Sequence, residues 1–380
     1  MHRLFELLAL IGGMALVATV LRDAFETMIL PRRLNSRFGI TRAYFRGLWP
    51  IWSWLAERLP RGRHRESALS LFGPLSMLVL FVAWAGALML GFALIFYGAG
   101  SPLQTSEMRR GFGMDLYLSG SMFLTLGLGA ATPSGALGRV VAIAEGGMGF
   151  GFVAIVIAYL PTLYSGFSRR ETSISMLDAR AGSPPTASEL LRRHARTLDQ
   201  LEIYLAEWER WSAELLESHI SYPVLGYFRS QHVNQSWLAA LTTVLDSCAL
   251  LMAGAEDGCT HQAGLTFAMA RHAVVDLAQI FITRLPRSHS ERLPEEKLEQ
   301  IATRLKTAGL ALRLSGERKQ RLAELRHLYE PQVLTIARYL RLELPQWLGD
   351  PDAKDNWQRS SWDRGAQTGA WAKGVLERHF

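Results

Sequence analysis

An all-α membrane protein is the fold class this sequence predicts, and three observations predict it. The first is a block, residues 68–106, without a single Asp, Glu, Lys or Arg. A bilayer core needs ~20 apolar residues in helical form, so this block crosses once with length to spare. The second is that two more apolar segments flank it: 4–21, carrying Glu6, and 140–168, broken only by Glu145. The third lies beyond Glu171, where apolar residues recur at helical spacings and little alternates with the period of a strand. The expected architecture is three transmembrane helices, a re-entrant helix and loop between the second and third, and an all-α cytoplasmic domain. The domains read as 1–67 (first helix and a basic, aromatic segment), 68–170 (helix, loop, helix), 171–349 (helical domain) and 350–380 (polar tail).

The first segment is expected to stay in the membrane rather than be cleaved. Its apolar core runs directly into Arg22, Asp23, Phe25 and Glu26, where a signal peptide would carry small residues. Asp23 and Glu26 are read as a solvated ion-pair network with Arg22, Arg32 and Arg33.

Orientation follows from arginine. Between residues 31 and 67 stand Arg32, Arg33, Arg37, Arg42, Arg46, Arg58, Arg61, Arg63 and Arg65, against Glu57 and Glu66. The connection 98–139 carries only Arg109, Arg110 and Arg139. The positive-inside rule puts the first loop in the cytoplasm, the N-terminus outside, and everything after Arg170 in the cytoplasm. The net charge of +7 is thus a topology signal and predicts contact with anionic headgroups, not nucleic acid. Residues 41–59 interleave Tyr44, Phe45, Trp49, Trp52 and Trp54 with arginine. That mixture reads as an interfacial helix, or a helix pair bent at Pro50, with a soluble loop as the alternative.

Beyond the third segment, residues 178–185 read as a linker whose Pro184 and Pro185 block helix continuation. Thr186, Ala187, Ser188 and Glu189 have the form of a capping box. Leu191, Leu198, Leu201, Leu205, Trp208 and Leu215 then predict one long amphipathic helix. Further helices are expected at 235–253, 262–283, 295–314 and 318–343. Cys248, Cys259, His261 and His272 show no metal-ligand spacing, and His219 and His232 stand singly. No nucleophile triad or phosphate loop is present, so the chain is not read as an enzyme, and neither metal nor bound cofactor is expected.

The most specific signal is Thr125-Leu126-Gly127-Leu128-Gly129. It follows a short apolar run, 116–124, too short to cross a bilayer. A cation leaving water needs oxygen ligands in place of its hydration shell, and rings of backbone carbonyls supply them. Successive inward carbonyls require alternating backbone conformations that glycine reaches at little steric cost. Gly127 and Gly129 fit that need, Thr125 adds a hydroxyl at the inner end, and a helix over 115–124 aims its partly negative C-terminus at the cavity.

These residues resemble the potassium channel superfamily, in particular bacterial channels with one pore loop per chain between two pore helices. The family filter, Thr-Val-Gly-Tyr-Gly-Asp, is matched at Thr125, Gly127 and Gly129, and then at Thr132, Pro133, Leu137, Gly138 and Arg139. Tyr117 and Ser119 are similar to the family's pore helix. The resemblance covers 68–170 and implies a homotetramer conducting K+ as permeant ion through residues 125–129. Leu128 stands where the family has Tyr or Phe, so a hydroxyl anchor behind the filter is lost. Ala130 replaces an Asp that ties the filter to its helix. A non-selective cation channel with a relaxed filter and a non-conducting membrane-anchored sensor or scaffold are therefore the alternatives.

Gly146, Gly147, Gly149 and Gly151 crowd into two turns of the third segment, with Pro161 beyond. They read either as a gating hinge or as close packing, for which Gly147 and Gly151 have the Gly-x-x-x-Gly spacing. Their position inside a membrane segment excludes a nucleotide loop. Glu145 supports the back of the filter or senses pH. The cytoplasmic domain's ligand or partner is not legible.

Overall fold

In a computed structural model, described over residues 2–30, 39–60, 62–100, 103–105, 111–129, 131–230, 235–255, 259–281 and 291–349, the first apolar segment is helix α1 (His2–Met28). It packs along α3 (Arg63–Gly98), and the approach is close enough to require glycine. A Cβ on Gly13 would lie 2.5 Å from the Gly91 carbonyl oxygen, and one on Gly91 would lie 2.7 Å from Val17 Cγ2. Between them α2 (Ile40–Glu57) is one helix with Pro50 inside it. It buries Trp49 and Ala56 and exposes Ile51, Trp54 and Leu55. Arg58 lies over the Trp54 ring at 3.5 Å.

Asp23 departs from the solvated role expected of it. It is buried, accepting hydrogen bonds from Thr41 Oγ1 (2.7 Å), the Thr41 amide (3.2 Å) and Trp84 Nε1 (3.1 Å). The carboxylate thus satisfies the start of α2 and joins α1 to α3 through neutral donors. Glu26 pairs with Arg22 at 2.8 Å on the surface, as expected. Arg32, Arg33, Arg37 and Arg61 lie outside the described residues.

After α3 come strand β1 (Leu103–Thr105), α4 (Phe112–Phe123), strand β2 (Ala131–Pro133) and the long α5 (Ala136–Ala181). The strands pair antiparallel, Gln104 opposite Thr132. Two compact units result: Met1–Phe167 with Ser218–Arg229, and Ser168–Glu217 with Ser230–Phe380. The return of 218–229 to the first unit was not legible in the sequence. A 3-10 helix there, Pro223–Tyr227, inserts Tyr227 among Phe45, Trp49 and Phe72, with ring centroids 5.2–5.5 Å away. Arg229 meets Glu66 at 2.7 Å.

In the second unit α5 ends at Gly182, whose φ is +83°. Thr186 caps α6 (Ala187–Arg193), its Oγ1 accepting the Glu189 amide at 3.4 Å. The other half of the expected box is not made, because the Glu189 carboxylate turns to Arg192 (2.6 Å), Arg193 (2.7 Å) and Arg304 (3.2 Å). The expected long helix is two: α6 stops at His194, and α7 (Leu198–Ser221) follows with Leu201, Leu205, Trp208 and Leu215 buried.

The core element is α8 (Trp237–Gly254), packed against α6, α9 (Thr260–Phe281), α11 (Glu317–His327) and α12 (Glu330–Leu340), while α10 (Glu295–Ala308) packs on α6. Tyr329 breaks the helix expected over 318–343. Among the described residues, four helices are long and apolar enough to cross a membrane: α1, α3, α5 and α8. The apolar window of α8 is 94% buried within the chain, against 17% for α1 and α5. Protein rather than lipid therefore covers α8.

Asp246 of α8 receives Arg292 (2.8 Å) and Tyr329 Oη (2.5 Å), and Arg292 also meets Glu330 at 3.1 Å. Burial pushes the Tyr329 hydroxyl well above its usual range, and Asp246 and Glu330 push it the same way. Cys248 and Cys259 are buried free thiols. Residues 350–380, read as a polar tail, lie outside the described residues.

Candidate functional site

The loop after α4 is built by that helix's own last turn. Leu124 donates to the Gly120 carbonyl (3.1 Å), Thr125 to Met122 (3.0 Å) and Leu126 to Ser121 (2.9 Å). Thr125 then turns left-handed at φ +55°, Gly127 at +60° and Gly129 at +72°, while Leu126 and Leu128 between them do not. A chain whose φ changes sign at every residue turns successive carbonyls to one side. Residues 124–129 are all exposed in the single chain, so the carbonyl row is open.

Ser121 is the support that sequence reasoning missed. Its carbonyl takes the Leu126 amide, and its Oγ accepts the Leu128 amide at 3.2 Å. The hydroxyl anchor absent from Leu128's side chain is thus replaced by one from α4 to Leu128's backbone. The available signal was a serine late in α4, two residues after Ser119. Ala130 lies outside the described residues, as do Arg109 and Arg110.

Behind the loop, Ser119 Oγ lies 2.7 Å from the Met89 carbonyl oxygen and 2.5 Å from Glu145 Oε1, joining α3, α4 and α5. Glu145 and Ser119 are both fully buried. Asp115, one turn before Ser119, is buried too. Tyr117 of the same helix is instead 41% exposed.

The α5 glycines divide. A Cβ on Gly149 would overlap the Phe123 carbonyl, and one on Gly146 would sit 3.6 Å from Met122 O. Gly147 and Gly151, the pair with packing spacing, face open space within the chain. The close approach to α4 is therefore made by Gly149. Pro161 is accommodated inside the continuous α5. The rest of α5 presents Val140, Ile143, Phe150, Val153 and Ile157 outward, an apolar face the single chain leaves uncovered.

Residues 77–165 match the family model described as "Ion channel". An uncharacterized membrane protein, YdjJ, of Bacillus subtilis (strain 168) is 22% identical over 205 residues, which is 53% of this chain and 60% of that relative. The chain therefore aligns with less than two thirds of the relative's length. No solved structure matches.

Proposed function

We propose that this chain, whose residues 77–165 belong to the ion-channel family, forms a homotetrameric, potassium-selective pore in the bacterial inner membrane. In this reading α1, α3 and α5 span the bilayer, α4 is the re-entrant pore helix, and Thr125, Leu126, Gly127, Leu128 and Gly129 are the filter. The carrying observation is the alternation of φ sign at Thr125, Gly127 and Gly129, with the intervening amides of Leu126 and Leu128 held by Ser121. Such a strand offers a dehydrating cation a row of oxygens, and four copies close a ring around it. The uncovered apolar faces of α5 and of Leu126 and Leu128 suit neighbouring copies and lipid.

The apolar helices and the likeness to a membrane protein support the location. The N-terminus then lies outside, and the second unit is a cytoplasmic helical domain that gates the pore. Anionic headgroups meet the Arg42 and Arg46 side of α2. The protein is a conductor of ions rather than an enzyme.

Leu128 favours a second reading, a general cation pore, because its side chain is 55% exposed and brings no hydroxyl to restrain the filter laterally. One measurement separates the two. The purified chain in planar bilayers, under a potassium/sodium bi-ionic gradient, should reverse far from zero on the potassium side. Reversal near zero would favour the relaxed pore. Silence under every condition would leave a scaffold.

A further inference from the structure

The chain of contacts behind the loop needs one more hydrogen than Ser119 owns. Both contacts of its Oγ, 2.7 Å to the Met89 carbonyl and 2.5 Å to Glu145 Oε1, fall within the range of a full O–H···O bond. A serine hydroxyl carries one hydrogen and a carbonyl carries none. Met89 can only accept, so the Ser119 hydrogen goes to Met89. The second hydrogen must then come from Glu145, present as the carboxylic acid and donating to Ser119. Its other oxygen, Oε2, is buried with no hydrogen-bond partner among the described residues. A neutral acid's carbonyl oxygen tolerates that site; a carboxylate would leave charge facing apolar atoms.

The surrounding titratable groups do not supply a counter-charge. On α3 none stands between Glu66 and Tyr97. On α4 there are Asp115 and Tyr117, and on α5 the nearest is Arg139. None of them shares a hydrogen bond or ion pair with Glu145 among the described residues.

We infer that Glu145 is a positioning residue for the proposed pore: as the neutral acid it ties α5 through Ser119 to α3 behind the filter loop, and loss of its proton releases the tie and lowers conduction. The inference rests on the channel reading for its functional half, while the protonation state stands on its own. Raising the pH removes the donated hydrogen, so conduction is lost on the alkaline side.

The test pairs potassium flux with infrared spectroscopy on the full chain in phosphatidylethanolamine/phosphatidylglycerol liposomes. Wild type should show the carbonyl band of a buried carboxylic acid, which Glu145→Gln removes. Wild-type flux should fall as pH is raised. Glu145→Gln keeps a donor toward Ser119 and should retain flux at both neutral and alkaline pH. Asp115→Asn should keep the alkaline fall, and Ser119→Ala should lower flux at every pH. A wild-type spectrum without the band, or a Glu145→Gln channel that still loses flux with rising pH, overturns the inference. A band without flux in any variant would support the proton assignment and sink the channel reading instead.

Discussion

Ser121 and Leu128 are joined across the turn between helix and loop, the Leu128 amide donating to Ser121 Oγ at 3.2 Å. Seven residues apart, they hold the loop 125–129 to the helix that precedes it. Removing the hydroxyl frees the Leu128 amide from α4, at the net cost of a typical intramolecular hydrogen bond, about 0.5–1.5 kcal/mol. Ser121→Ala should therefore leave folding and assembly intact but lower the potassium/sodium permeability ratio, while Ser121→Thr keeps it. Equal permeability ratios in wild type and Ser121→Ala would show that the bond restrains nothing that matters for ions.

Gly127 holds φ at +60° with open space around its missing side chain. Sterics inside one chain therefore permit alanine; backbone conformation does not favour it, at roughly 1–2 kcal/mol for a left-handed residue with a Cβ. Thr125 already carries that strain at φ +55°. Adding a second such residue should abolish conduction in Gly127→Ala while expression and oligomer size stay unchanged. Normal single-channel currents in that variant would remove 125–129 from the ion pathway.

Gly149 and Gly147 separate packing from conformation. A methyl group on Gly149 collides with the Phe123 carbonyl, whereas one on Gly147 meets nothing in the chain. Gly149→Ala should lower the unfolding temperature in detergent and detach α5 from α4; Gly147→Ala should not. Should Gly147→Ala instead weaken the oligomer without destabilising the chain, the Gly147–Gly151 face would lie between copies. Equal unfolding temperatures for wild type and Gly149→Ala would contradict the close approach.

The pattern of what was legible follows from the range of the interactions. Helices α3, α5 and α8 were readable because burial or a bilayer selects residues by local composition. The start of α6 was readable because Thr186 and its acceptor contact are local. Asp23 was not, because its partners Thr41 and Trp84 lie 18 and 61 positions away. The break at His194 was hidden because apolar spacing continues across it. Gly127 and Gly129 announced themselves through conformation, but Ser121 did not, since serine in a helix is ordinary until a loop amide is seen above it. The return of Tyr227 to Phe72 depends on tertiary packing alone. That return also changes how a truncation should be read. Stopping the chain after Arg170 removes Tyr227 and Arg229 from the first unit, so loss of activity in that truncation would not isolate a gating role.

Arg292 holds together the core of the second unit. It bridges Asp246 and Glu330, and Asp246 also takes the Tyr329 hydroxyl. Burial alone would lower the Arg292 pKa, but Asp246 above all and Glu330 raise it. Taking away the cation leaves the buried Asp246 charge with the Tyr329 hydroxyl but no ion pair, while Glu330 keeps Arg326 at 3.1 Å; breaking such a buried pair costs about 3–5 kcal/mol. Arg292→Ala should unfold the second unit at markedly lower denaturant concentration, and Arg292→Lys should recover part of the loss. An unchanged denaturation midpoint in Arg292→Ala would mean the pair contributes little.

Glu189 makes the acid side of stability testable. Burial would raise its pKa, but hydrogen bonds and charge from Arg192 and Arg193 bring it from 4.5 down to about 2. A carboxylate with a depressed folded pKa stabilises the fold at pH values above its unfolded pKa. That contribution disappears as pH falls from 4.5 through about 2. Glu189→Gln keeps the shape and removes the charge. The variant should unfold at a lower temperature than wild type near neutral pH. The difference should shrink steadily as the pH is brought below 4.5 and vanish once the pH is below about 2, because wild type has then lost the same charge. Comparing the two proteins at each pH cancels the titration of every other carboxylate. A difference that stays constant across that range would show that Glu189 acts through shape rather than through its ion pairs.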